Sequence, residues 1–403
     1  MKTTDISTVK PWLNFLLFTV LVLDSIWMHA YEVDQLSGIA EKPTIKDSAD
    51  IINAELNRLV DLAVSDANST NGRFYNKTPC DSEKKADWDA ARLNLFNNLK
   101  DRLYSGLNPV GHLEDFAESS KAVDKRKVAV DQSIYADVPV TETIIKTVGL
   151  HSVIRIGTTE IGTDKLGHFL TQGYSEYLDL KYVETKDVRK IMSQRSSISS
   201  ERGGFGGATT GVVSYADHAA NIHGFNFWHR LCGLTSKDRS DADRAHFKER
   251  RCYPDSYLMC EKGNWVRNPK NKIDLRDFID ASWDESINCN SYTFPEETYE
   301  KVFSQMSRRA FQWQGNPKQP CPRDPMKCQE LAAKKNMEIN PICYKMGAKM
   351  LKGEKIDPNV KFDYSFQLNS LKKPKTAADL ASEKAARDKK FMDSVNKKHE
   401  QRR

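Results

Sequence analysis

Apolar positions recur at three- and four-residue spacing in two stretches near the start of the chain. Between Asp47 and Asn68 the stripe is Ile51, Ile52, Leu56, Leu59 and Val60; between Asp81 and Leu103 it is Trp88, Leu93, Phe96 and Leu99. That period sets one face of a helix against a core, so both stretches are predicted as amphipathic helices. Ser152-Val-Ile-Arg-Ile156 alternates instead, which predicts a short strand turned back by Gly157-Thr-Thr-Glu160. Helical spacing returns over Asp274–Ser286 (Leu275, Phe278, Ile279, Trp283) and Glu297–Trp313 (Val302, Phe303, Met306, Phe311). The fold class expected is mainly α: a helical globular domain with a few short strands and a disulfide-bearing C-terminal part. Its expected segments are a signal peptide or anchor (1–30), an N-terminal helical layer (31–130), a motif-bearing core (131–235), a Cys-rich helical part (236–345) and a basic, flexible tail (346–403).

The run Thr163-Asp-Lys-Leu-Gly-His-Phe-Leu-Thr-Gln-Gly-Tyr-Ser175 starts another helix, with Thr163 as its expected cap. Counting about 100° per residue from Asp164 puts His168, Thr171 and Ser175 on its side of the helix, with Leu166, Phe169, Leu170, Gly173 and Tyr177 opposite. An acid and an imidazole four residues apart can hydrogen-bond, which orients the ring, or can present two metal ligands. A second start, Ser214-Tyr-Ala-Asp217, is close to a capping box. On the helix that follows, Asp217, Asn221, Gly224 and Trp228 share one face, and a Gly there suggests close approach by another element. The glycine-rich stretch Gly203–Gly211 between the helices lacks the spacing of a Walker loop or a dinucleotide fingerprint, and reads as a tight connection. Five of the nine histidines fall between His151 and His229.

The strings Asp164-Lys165-x-x-His168-Phe169 and Ser214-x-x-Asp217-x-x-Ala220-Asn221-x-x-Gly224 together resemble the paired signatures of VanZ-like and YfiM-like cell-envelope proteins. The resemblance implies an envelope location and a polar centre shared by two helices. VanZ-like members span the membrane, whereas Gln172, Ser175, Glu176 and Asp179 make the first helix here too polar for lipid.

The formal charge of +6 changes the picture little. Leu371–Arg403 holds eleven basic and five acidic residues, so the whole excess lies there and the body is neutral. Specific nucleic-acid binding is disfavoured, and the tail suits weak attraction to a membrane surface. Lys2 and Lys10 precede an apolar run, Trp12–Leu23, that suits an export signal, or an anchor if uncleaved. Eight cysteines without a C-x-x-C pair then suggest disulfides; local loops such as Cys252–Cys260 or Cys321–Cys328 are feasible, and spacing leaves the pairing open.

The expected partner is a cell-envelope component, and the sequence leaves cofactor and metal binding open. One reading is a hydrolase of envelope polymer or lipid. Asp164 would orient His168 as general base, Asp217 and Asn221 would position substrate or a metal, and Lys165 would stabilise an anion. An alternative is a peptidoglycan glycosidase using Glu142 and Glu160. The third is a non-enzymatic structural or interaction protein whose polar centre is a buried hydrogen-bond network.

Overall fold

A computed structural model describes residues 45–69, 78–104, 111–180, 206–207, 209–232, 252, 255–314, 321–334, 338–355 and 364. The expected signal and most of the expected tail (346–403) lie outside these residues, as do Gly203, Gly204, Phe205 and Ala208 of the glycine stretch; positions 346–355 at the start of that tail are described, and 346–351 are helical. The fold is mainly α, and the described residues up to Tyr364 belong to one compact unit.

The first two predicted helices form as α1 (Ala49–Asn68) and α2 (Lys85–Leu103), which pack on each other. Ile52, Leu56, Leu59 and Val60 turn inward with Leu95, Phe96 and Leu99, while Leu93 is exposed. A short helix, α3 (His112–Ser119), closes this layer against the next motif. It brings Glu114 into the interior at 4% exposure.

Three antiparallel strands follow, in the order β1 (Lys125–Arg126), β2 (Val153–Ile156) and β3 (Thr159–Gly162). The β2–β3 hairpin pairs Val153 with Gly162 and Ile156 with Thr159, and Gly157 turns it at φ +60°. The chain passes directly from β3 into a broken helix made of α4 (Asp164–Gly167), a π-helical turn (His168–Gln172) and α5 (Gly173–Leu180). Next come β4 (Val212–Val213) and α6 (Tyr215–Cys232), with α5 packed against α6.

The close approach expected at Gly224 is real. A Cβ there would lie 1.9 Å from the Phe169 carbonyl oxygen, and one on Gly173 would lie 2.6 Å from the Gly224 Cα. Trp228 Nε1 also donates to the Leu170 carbonyl at 2.9 Å, so the π turn and α6 are fastened at backbone level.

The later chain holds the hairpin β5 (Leu258–Glu261) and β6 (Asn264–Arg267), then β7 (Ser291–Tyr292), which pairs with β4. Helices α7 (Glu296–Gln314), α8 (Pro325–Ala333) and α9 (Pro341–Leu351) complete the described fold. The helix expected over Asp274–Ser286 does not form. Leu275–Asp277 and Ala281–Trp283 are separate 3-10 turns, because Asp274 and Asp280 each accept from the backbone N–H two residues on. Such local side-chain bonds compete with helical pairing.

Four disulfides join Cys80–Cys260, Cys232–Cys252, Cys289–Cys321 and Cys328–Cys343. The local loops Cys252–Cys260 and Cys321–Cys328 are not formed. Cys260 lies on β5 and is drawn to Cys80 beside the β5–β6 turn, where Cys80 N–H donates to the Gly263 carbonyl. Cys252 instead closes onto the end of α6. Four bonds of this kind fit an oxidising compartment. Among the described residues no helix is long and apolar enough to cross a membrane.

Candidate functional site: a lysine ringed by three carboxylates

Lys165 is 0% exposed, an unusual position for a lysine. It sits one residue after the tight β3–α4 junction, where every residue from Thr163 to Gly167 is buried. Its Nζ lies 2.6 Å from Asp164 Oδ2, 2.5 Å from Asp217 Oδ1 and 2.5 Å from Glu285 Oε1. The three acids come from three segments: α4, the first turn of α6, and the short link between the Ala281–Trp283 turn and β7. None is more than 5% exposed.

Asp217 and Glu285 are held from behind. Ser214 caps α6 as expected, its Oγ accepting from the Asp217 N–H at 3.1 Å, and the same hydroxyl donates to Glu285 Oε1 at 3.1 Å. Asn290 Nδ2 donates to Glu285 Oε2 at 2.8 Å. Thr163 does not cap α4 with its side chain. Its hydroxyl donates instead to Glu118 Oε1, at 2.5 Å, and Glu118 also accepts from the Ser152 N–H at 2.6 Å.

His168 forms the rim of the cluster, its side chain 17% exposed. Its Nδ1 is 3.1 Å from Asn221 Oδ1 and its Nε2 is 3.3 Å from Asp217 Oδ2. Asp164, His168, Asp217 and Asn221 are thus brought together as the two motifs predicted, with one correction. Asp217 and Asn221 orient the imidazole, while Asp164 turns its Oδ2 to Lys165. Lys165 is likewise not poised toward an outside anion, since its ammonium is consumed by the three carboxylates.

The charges are uneven. Burial pushes Glu285 up to about 8, against the attraction of Lys165 and helped by the nearby Asp217 and Asp164. Burial also raises Asp164, again against Lys165. For Asp217 burial pulls upward too, but His168 and Lys165 outweigh it and hold this carboxyl below its usual value. Within the centre, Asp217 is thus the acid most favoured to carry charge and Glu285 the one most favoured to take up a proton.

A second buried pair adjoins it. His151 Nδ1 lies 2.9 Å from Glu114 Oε1, and the other Glu114 oxygen covers the Cα of Gly167 so closely that a Cβ there would meet it at 2.0 Å. Burial, reinforced by Asp164, holds Glu114 well above the ordinary carboxylate range.

Glu142 and Glu160 are engaged in different places. Glu160 lies on β3 in an ion pair with Arg126, Nη2 to Oε2 at 2.9 Å. Glu142 follows the Pro139 turn, where its charge acts on Lys301 of α7. Neither contributes to the lysine-centred cluster.

Glu285 is the member that sequence reasoning missed. Its signal was the repeated Asp-x-Ser of Asp280-Ala-Ser282 and Asp284-Glu-Ser286, in which each Asp accepts from the Ser N–H. Such repeats mark turns, and a turn is what aims Glu285 inward.

Asp164, Asp217 and Glu285 each offer one oxygen, all within 4.8 Å of one another, an all-oxygen set of the kind hard divalent cations accept. The cation at their midst here is the Lys165 ammonium. No family model matches the chain, and neither a curated protein nor a solved structure matches it significantly.

Proposed function

We propose that the chain is an exported, disulfide-held structural or interaction protein of the cell envelope, and that its polar centre is a charge-balanced lock between α4, α6 and the Glu285 link. The observation that carries this reading is Lys165, with no exposed surface and three carboxylate oxygens within 2.6 Å of its Nζ. A catalytic base needs a ring nitrogen free to face substrate. Both nitrogens of His168 already face acceptors on α6. One cleft of about 360 Å³ among the described residues, lined by residues such as Thr158, Asp280, Arg323 and Lys334, includes no member of the cluster. Export is supported by the basic, then apolar, N-terminus together with four disulfides, and the envelope by the resemblance of the two motifs to VanZ-like and YfiM-like proteins.

The hydrolase remains a second reading because of one observation. His168 stands at the rim beside an ionised, fully buried Asp217, the pairing of a general acid–base dyad. Burying four ionisable groups is also a poor way to gain stability, and perturbed groups gather at functional sites.

Replacing His168 by Gln separates the two. The lock reading expects a folded protein that still complements deletion of its gene, scored as envelope resistance to detergent. A variant that folds with unchanged Tm yet fails to complement supports the dyad and overturns the lock.

A further inference from the structure

Helix α9 carries a surface that the buried centre does not explain. Its inner side is fixed: Cys343, Met346 and Gly347 are buried, Cys343 is bonded to Cys328 of α8, and a Cβ on Gly347 would lie 2.1 Å from the Cys328 carbonyl oxygen. The helix therefore has no freedom to roll, and its other side must face outward.

That outer side is basic and apolar at once. Taking about 100° per residue from Pro341, Lys352, Lys345 and Lys349 fall near 20°, 40° and 80°, while Ala348, Tyr344 and Leu351 fall near 340°, 300° and 280°. Lys345, Lys349 and Lys352 are exposed, as is Lys355 just beyond the helix. Among the described residues none of these four lysines has a carboxylate partner, although Lys301, Lys327 and Lys334 elsewhere each have one. Tyr344 and Leu351 are 44% and 49% exposed, beside the lysines rather than under them.

We propose that this face of α9 docks the protein onto a membrane surface of anionic phospholipid. Charge complementarity supplies the attraction, as juxtamembrane lysines do for acidic headgroups. The apolar flank chooses between lipid and a polyanionic polymer. A polymer of charged units has nothing to offer Tyr344, Ala348 and Leu351, whereas the boundary between headgroups and acyl chains takes up such side chains along a helix lying in its plane. The net charge of the sequence after the helix has the same sign, since Leu371–Arg403 holds eleven basic against five acidic residues. The inference does not depend on what the Lys165 centre does.

The test is co-sedimentation of the full chain with phosphatidylcholine vesicles and with vesicles in which about a third of the lipid is phosphatidylglycerol, near 0.1 M salt, where the Debye length is about 10 Å. The wild type should pellet with the anionic vesicles only, and high salt should release it. Lys345→Gln, Lys349→Gln and Lys352→Gln together should weaken partitioning on the order of 100-fold, about fivefold for each lysine. Tyr344→Ser with Leu351→Ser should weaken it by roughly tenfold. All five side chains are exposed, so an unchanged Tm will show that the variants fold. The proposal is overturned if the wild type ignores anionic vesicles, or if the triple variant partitions as the wild type does. It is also overturned if the apolar pair has no effect while soluble dextran sulfate strips the protein from vesicles, an outcome that assigns the face to a polyanion.

Discussion

Replacing Lys165 by Met removes the one ammonium among three carboxylates while filling most of the same volume. Asp164, Asp217 and Glu285 then face one another, none of them more than 5% exposed. Such acids take up a proton rather than remain as bare charges. The cost is that of binding the proton at the working pH to a group that titrates near 4 when unfolded. At pH 7.5 this is about three and a half pH units at about 1.4 kcal/mol each, or about 5 kcal/mol. At pH 4.5 the same step costs about 1 kcal/mol. The sign follows from proton counts: the folded variant holds a proton that the unfolded chain releases above about pH 4, so its deficit grows as pH rises. The 5 kcal/mol figure agrees with the roughly 3–5 kcal/mol lost when one partner of a buried ion pair is removed. Thermal unfolding followed by circular dichroism should show Tm lowered by roughly 10 °C at pH 7.5, at about 2 °C per kcal/mol for a large domain. Most of that loss should vanish at pH 4.5. A drop of equal size at both pH values would refute the reasoning, since lost packing alone does not titrate; so would a deficit below about 1 kcal/mol at pH 7.5.

Other consequences can be checked on the same instrument. Glu285 is pushed up to about 8, so the stability contributed by its neutral form is present below its unfolded value and lost as pH rises from about 4.5 through about 8; Glu285→Gln should flatten the pH–stability curve in that window, and an unaltered slope would show that Glu285 ionises normally. Gly224→Ala drives a methyl into the Phe169 carbonyl and should cost about 3 kcal/mol or more, read as a lower urea midpoint with an unchanged m-value, whereas a neutral result would mean that the π turn and α6 are not in backbone contact. Replacing Cys80 and Cys260 by Ser should cost more than replacing Cys328 and Cys343, about 5 against about 3 kcal/mol by loop-closure entropy, because the separations are 180 and 15 residues. Equal losses would contradict that pairing.

What could be read in advance depended on how local the cause was. Helices α1, α2 and α7 and the β2–β3 hairpin follow from apolar spacing and turn residues within each segment. The Ser214 cap and the close approach at Gly224 were legible for the same reason, as each rests on one residue's chemistry. The two motifs also located Asp164, His168, Asp217 and Asn221 correctly as one group. Their roles were less legible. Asp164 and His168 lie one turn apart on an ideal helix, but α6 supplies the acceptors that the ring nitrogens face, and its Asp217 and Asn221 lie about fifty residues away. Lys165 looked available for an external anion because no sequence pattern places Glu285 beside it. That acid arrives through two 3-10 turns whose capping aspartates override the apolar spacing of Asp274–Ser286. The cysteine pairing was out of reach for a similar reason, since Cys80–Cys260 is set by where β5 falls against a loop 180 residues earlier.

The central claim is that an ammonium group, Lys165, is the cation of the three buried carboxylates. Elemental analysis of the purified full chain, coupled to thermal unfolding with and without a chelator, tests it most directly. The account predicts far less than one equivalent of any divalent metal per chain, and a Tm that does not respond to chelation. A stoichiometric metal, lost together with stability on chelation and bound no longer after Asp217→Asn or Glu285→Gln, would contradict it and make Asp164, Asp217 and Glu285 ligands.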